Sequence, residues 1–323
     1  MIKLFSGNNI IALTLLPFLI AGYFLLNNGV LGFTGGFFET SNSIDLGLWG
    51  SVKSSTYLWI PITSAAIILF NAVGLNYLFN ANVFHERNSY IVSLLYVILM
   101  SFYHSFYQLD GVIIAQTFLI LTLFQLFKLE NNVDGRATSF NAGFFFGVAA
   151  SFHPSLIFVF PLLWFMILRI RPFVWREITL SIVGFIVPLI YGFSFIIWKE
   201  EQINWNFIET SVNYVQKQLI FLSSMALFVV AALLSLYGLS SRNMASSIRF
   251  RKLTSIVLMF LLIGIGLGVI EIIFLKQYEW FSFSTISLAL FMPFSFFYKS
   301  TQLFARMLFY VIFLFSIFKF FIR

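Results

Sequence analysis

The chain contains no cysteine and only three histidines, and charged side chains make up just 10% of its 323 residues. Without cysteine there is neither a disulfide nor a thiolate metal site. His85, His104 and His153 are too widely spaced to read as a His-rich metal centre. A soluble domain of this length needs far more charge to cover its surface. No Walker loop, Gly-x-Ser-x-Gly turn or His-Glu-x-x-His motif occurs, so ATP-driven transport by this chain alone has no support.

What the chain does have is apolar sequence along its whole length. Hydrophobic residues make up 60% of it, phenylalanine occurs 45 times, and the mean hydropathy is +0.95. A helix needs about 20 apolar residues to cross the hydrocarbon core of a bilayer. Such runs cover about residues 8–27, 57–79, 89–107, 111–128, 139–152, 154–168, 178–198, 219–238, 253–275, 281–298 and 307–322. The expected fold is an all-α polytopic membrane domain of about 11 spans filling residues 1–323. The fifth and sixth runs are short and meet at His153-Pro154. They either cross fully or turn back inside the membrane; both return the chain to the same side. The first run follows a basic start but ends without a small-x-small cleavage site, so it reads as a retained span.

Charge orients these spans. With the N-terminus in the cytoplasm, the inner segments carry Lys3, Arg87, Lys128, Arg136, Arg169, Arg171, Arg176, Arg242, Arg249, Arg251, Lys252, Lys299 and Arg306. Only Lys53, Lys199, Lys217, Lys276, Lys319 and Arg323 fall outside. That is thirteen against six of the 19 basic residues, the bias expected of cytoplasmic loops. The net charge of +7 is therefore a topological signal, and no nucleic-acid partner is expected. The assignment is a bacterial inner membrane protein in contact with lipid. Two outer segments are long. Residues 27–56 mix six glycines with Phe and Leu, as suits a loop hugging the membrane surface. Residues 199–218 read as an interfacial amphipathic helix anchored by Trp205 and Tyr214.

Six ionisable residues come out on the outer side: Glu39, Asp45, His104, Asp110, His153 and Glu271. Glu39 and Asp45 lie in the first outer loop. A carboxylate there can act as a general base or hold a divalent cation, or it can be a solvated loop acid. His104 and Asp110 flank the turn between the third and fourth spans. Their side chains can face one cavity, or Asp110 can simply cap the fourth span. Glu271 sits about one turn inside the ninth span, a costly place unless it faces protein or water. His153 precedes a helix-breaking proline and is either a ligand-binding or a structural group. Glu271, His104, His153 and Lys53 are the candidate substrate-binding groups; no metal-binding set is identified.

With these residues in place, the pattern resembles the GT-C glycosyltransferases, polytopic enzymes that use a polyprenyl-phosphate sugar donor. The first outer loop with Glu39 and Asp45 lies where that family carries a catalytic acid. Residues 103–110, with Asp110, lie at its second outer motif. The Gly-rich stretch at 143–150 and His153-Pro154 follow like its short middle helices. The resemblance covers roughly residues 8–200 as an arrangement. It departs from the family because the two loop acids are six residues apart rather than adjacent, and no soluble outer domain follows. It implies that Glu39 or Asp45 deprotonates an acceptor hydroxyl, with Asp110 in the same site. The leaving phosphate would be stabilised by Lys53, helped by His104 or His153, or by a divalent cation. The chain's Phe-, Ile- and Asn-rich style also resembles multipass membrane proteins of flavobacteria, which implies no activity. Two other functions stay open: a non-catalytic subunit or scaffold working with other membrane proteins in an envelope assembly, and a lipid or glycan transporter. An enzyme requires the outer acids to converge. A scaffold leaves them splayed into water, and a transporter needs a polar path through Asn71, Asn76, Gln116, Gln125 or Asn141.

Overall fold

The computed structural model describes residues 5, 7, 10–27, 43–53, 59–85, 87–131, 134–171, 174–199, 218–244, 246–275, 278–298 and 300–321. Glu39 and nearly all of the expected interfacial helix at 199–218 lie outside them. Among the described residues there are eleven α-helices. They are α1 (Ile10–Asn27), α2 (Trp59–Ala81), α3 (Ile91–Met100), α4 (Gly111–Asn131), α5 (Arg136–Phe152), α6 (Pro161–Ile170), α7 (Trp175–Lys199), α8 (Gln218–Met244), α9 (Ile248–Leu275), α10 (Ser284–Phe297) and α11 (Gln302–Phe318). Seven are long and apolar enough to cross a membrane, counting the 3₁₀ turns that extend α10 and α11. The chain is a helical, multipass membrane protein whose outward side chains contact lipid.

The helices share two ends. At one, Tyr90 donates its N–H to Phe5, Arg249 pairs with Glu130 at 3.3 Å, Arg171 bonds Glu177 and Leu129, and the Lys252 ammonium reaches the Ile170 carbonyl. This is the basic end. At the other, Trp49 bonds Ser151, His153 meets Trp280, and Glu279 binds the turn after α3. This is the acidic end. The alternation expected from the sequence therefore places the right segments together.

At the centre stand α3 and α10. Every residue of α3 and all of α10 but Phe297 are buried, as expected of helices that are apolar all round. The polar groups among them find one another: Tyr96 donates to Gln116 at 2.7 Å, and Asn71 reaches the same hydroxyl at 3.4 Å. In hydrocarbon such bonds hold helices together. Asn71 lies mid-helix in α2.

Two expectations are corrected. The third helix stops at Met100, and residues 101–110 form turns in which the Glu279 carboxylate binds the His104 and Ser105 amides. The first outer loop does not simply lie on the membrane surface. Its described part is an antiparallel pair, β1 (Ser43–Asp45) with β2 (Ser51–Lys53), whose linking turn buries Leu48 against Gly192 of α7. The His153-Pro154 break lies at the acidic end, where His153 meets Trp280. The 17 residues of α5 span about 25 Å, from Arg136 at the basic end to Phe152 at the acidic end. A 3₁₀ turn (Pro154–Val159) and α6 then return to the basic end.

The tightest seam joins α5 to α7. A Cβ on Gly143 would fall 2.1 Å from the Ser181 carbonyl oxygen, and one on Gly147 2.4 Å from that of Phe185. From the other side, a Cβ on Gly184 would meet the Phe140 carbonyl at 2.3 Å. The small residues let the two backbones touch. Gly147→Val is expected to destabilise the protein by about 1–3 kcal/mol. Gly266→Ala, where nothing lies within 4 Å, should be silent. Thermal unfolding in detergent compares the two.

Candidate functional site

The acidic end is built around one carbonyl. Phe152 ends α5, and its oxygen lies where a Cβ on Gly47 or on Gly111 would stand, 2.4 Å away in each case. Gly47 also has a positive φ of 64°, open to glycine without strain. Only glycine lets the hairpin turn and the start of α4 close on that oxygen together. The Asp45 carbonyl lies 3.3 Å from the same Gly111 position. Asp45 and Asp110, the residue before Gly111, are thus brought side by side from segments 65 residues apart in sequence.

Each acid here also binds backbone. Asp45 Oδ1 accepts the Gly47 N–H at 2.9 Å, and Asp110 Oδ1 accepts the Ile113 N–H at 3.0 Å. Asp110 is therefore the cap of α4, as its position suggested. Glu271 is fully enclosed and takes the Glu279 and Trp280 N–H groups at 3.0 and 2.6 Å. Glu279 in turn accepts the His104 N–H at 3.0 Å, the Ser105 N–H at 2.8 Å and the Ser105 hydroxyl. Two carboxylates thus tie α9, the turn before α10 and the turn after α3 into one chain.

Electrostatics couples the cluster. Burial pushes the Asp110 carboxyl up to about 7; the Glu279 charge, and more weakly that of Asp45, add to the rise. Asp45 is raised from its ordinary value by burial, against the pull of the Gly47 amide.

Other expected site residues are placed as follows. His104 is buried beside the cluster and joins it through its backbone N–H. His153 follows Phe152 directly. Its ring lies edge-on to Trp280 at 4.9 Å, with Nε2 buried and without a partner among the described residues. Glu271 faces protein, as its depth required. Lys53 pairs with Ser43 across the hairpin. Among the described residues no three His, Asp or Glu side chains are grouped to hold a metal ion. The divalent cation considered from sequence therefore has no ready-made seat there.

Two residues were missed. Glu279 sits in the short turn before α10 at the acidic end, and the same side-of-membrane reasoning that selected Glu271 would have found it. Lys319 counted only as an outer charge. It is fully buried, donates to the Ser101 carbonyl and sits 4.6 Å from the Phe102 ring centroid and 5.6 Å from that of Tyr107. Aromatic faces supply the attraction a buried cation needs. Beside this cage an apolar groove of about 430 Å³ runs between α1 and α2, from Pro17 and Leu69 to Leu25 and Pro61. Phe24 in its wall stacks on Phe106 at 5.7 Å, so one end of the groove adjoins the turn that leads to Asp110.

In comparisons with known proteins, the chain matches no family model, no curated protein and no solved structure.

Two outcomes are expected. Glu279→Ala leaves the buried His104 and Ser105 amides without acceptors, at a cost of about 1–3 kcal/mol for each; Glu279→Gln keeps one acceptor and costs less. Thermal unfolding orders the pair. Asp110 has a folded pKa above its unfolded value near 4. Its stabilising contribution is complete below about pH 4 and lost as pH rises through about 7. Asp110→Asn should flatten that part of the stability profile.

Proposed function

We propose that the protein is a GT-C-like membrane glycosyltransferase working at its acidic end on a lipid-linked sugar. In this reading all eleven helices cross a bacterial inner membrane, with the N-terminus and the basic end in the cytoplasm. The observation that carries it is the meeting of Asp45 and Asp110 at the Phe152 carbonyl. A base works best with a pKa near the operating pH, and Asp110 has one. It is thus better suited to proton abstraction than the loop acids alone.

The donor's hydrocarbon chain enters sideways along the α1–α2 groove and brings its phosphate to the turn at residues 103–110. Asp110 takes the proton of an acceptor hydroxyl. The hydroxyl oxygen forms a bond to the sugar's anomeric carbon as the bond to phosphate breaks, and the electron pair leaves on the phosphate. Asp45 orients the acceptor. Positive charge for the leaving group comes from Lys53 or a divalent cation supplied with the substrate. Glu39 remains an alternative base.

A second reading has its own observation. Asp45, Asp110, Glu271 and Glu279 all accept backbone N–H bonds, which is what a structural clamp in a non-catalytic membrane subunit would do. Activity separates the two. In membranes supplied with polyprenyl-phosphate sugars, Asp110→Asn should lower transfer by about 10²–10⁴-fold while the protein stays folded. The wild-type rate should rise through pH 7 as the base loses its proton. Unchanged transfer in Asp110→Asn, Asp45→Asn and Glu39→Gln would leave only the structural reading.

A further inference from the structure

The opposite end of the molecule carries a second site. A cleft of about 650 Å³ opens at the basic end, lined by Asp134, Arg136, Arg171, Trp175, Arg176 and Glu177, with Val174 beside them. Two helices begin in its walls: α5 at Arg136 and α7 at Trp175. The first turn of a helix presents unbonded N–H groups and the positive end of its dipole. The α5 start is already served, since Asp134 Oδ1 accepts the Arg136 N–H at 3.1 Å. At the α7 start, Val174 accepts the Glu177 N–H at 3.1 Å, and the Glu177 carboxylate stands in the first turn, paired with Arg171.

The three guanidinium groups are held differently. Arg171 is fixed, with Nε on the Leu129 carbonyl at 3.1 Å and Nη1 on Glu177 at 2.9 Å. That pair is largely shielded from solvent and cancels the Glu177 charge. Arg136 is held loosely: its contact to Asp134 is 3.7 Å long, and both side chains are more than half exposed. Such a pair is worth little in water. Arg176 is exposed and makes no ion pair among the described residues. Two cations are therefore available beside one rigid one, in a walled cleft over a helix start. Trp175 stands two-thirds exposed at its rim, where an indole suits the level of lipid headgroups.

We infer that this cleft binds a phosphate group, with Arg136 and Arg176 as its movable ligands beside the fixed Arg171. Arginine's planar fork matches phosphate oxygens in pairs. A phospholipid headgroup reaches the cleft from the membrane surface, and a soluble phosphate reaches it from the aqueous side. Both present the same chemistry. The inference does not depend on the function assigned to the acidic end, since no residue is shared.

The test uses the full-length protein in neutral detergent. Native mass spectrometry titrates it with short-chain phosphatidylglycerol, phosphatidylcholine and inorganic phosphate, for the wild type, the Arg136→Gln/Arg176→Gln pair and Arg306→Gln. Arg306 is an exposed cation at the same end but outside the cleft. Expected are saturable binding of phosphatidylglycerol and a loss of affinity of about tenfold or more in the paired variant. Arg306→Gln should change little. If inorganic phosphate binds as tightly and with the same arginine dependence, the phosphate site stands and its ligand is soluble. Equal weakening by Arg306→Gln and by the pair, or equal binding of phosphatidylcholine insensitive to the arginines, would overturn the site in favour of diffuse surface charge. Circular dichroism of each variant confirms that the helices are intact.

Discussion

Carboxylates bound to backbone amides hold the acidic end together, and the rest of the molecule is arranged around them. Helices in a membrane satisfy their own backbone, but the turns between them do not. Here Glu271 binds the amides of residues 279 and 280, and the Glu279 side chain binds those of 104 and 105. Asp110 caps α4, and Asp45 closes its own turn. Each acid satisfies donors that burial would otherwise strand, and the donors make burial of the acid tolerable. This exchange gathers four acids into a small volume. Burial, with the Glu279 charge adding to it, lifts the Asp110 carboxyl towards neutrality, so the device that fixes the turns also supplies a group able to move a proton.

The two ends are built on different principles. At the acidic end, polar side chains bind backbone amides and aromatic rings enclose the buried Lys319. At the basic end, arginines and a lysine bind carbonyls and scattered acids: Arg171 on Leu129, Lys252 on Ile170, Arg249 on Glu130. Between them the α5–α7 seam is rigid because glycines place backbone on backbone. Phe152, whose carbonyl anchors the acid pair, is the last residue of that seam. The placement of the candidate site thus rests on helix packing as well as on its own side chains.

Much of this was legible in the sequence, for a physical reason. Apolar runs and the bias of basic residues report on water and lipid, which act on each segment separately. Helix positions, their alternation between ends and the capping role of Asp110 were therefore accessible. Glu271 was recognisable as an acid that must face protein. What was not legible depends on pairs of segments far apart in the chain. Nothing in residues 43–53 announces that Leu48 docks beneath α7. Nor does Gly47 or Gly111 alone reveal that both close on one carbonyl oxygen. Lys319 looks like a terminal charge until the rings of Tyr23, Phe102 and Tyr107 are placed around it. Glu279 was the exception, because the sidedness argument reached it and it was passed over.

The account depends most on Asp45 and Asp110 standing together. The absence of native cysteine makes this directly measurable, since labels attach only where a cysteine is introduced. Nitroxides on Asp45→Cys and Asp110→Cys, in the full-length protein reconstituted in bilayers, should show strong dipolar broadening in the doubly labelled spectrum. A doubly labelled spectrum equal to the sum of the two single ones would contradict the account.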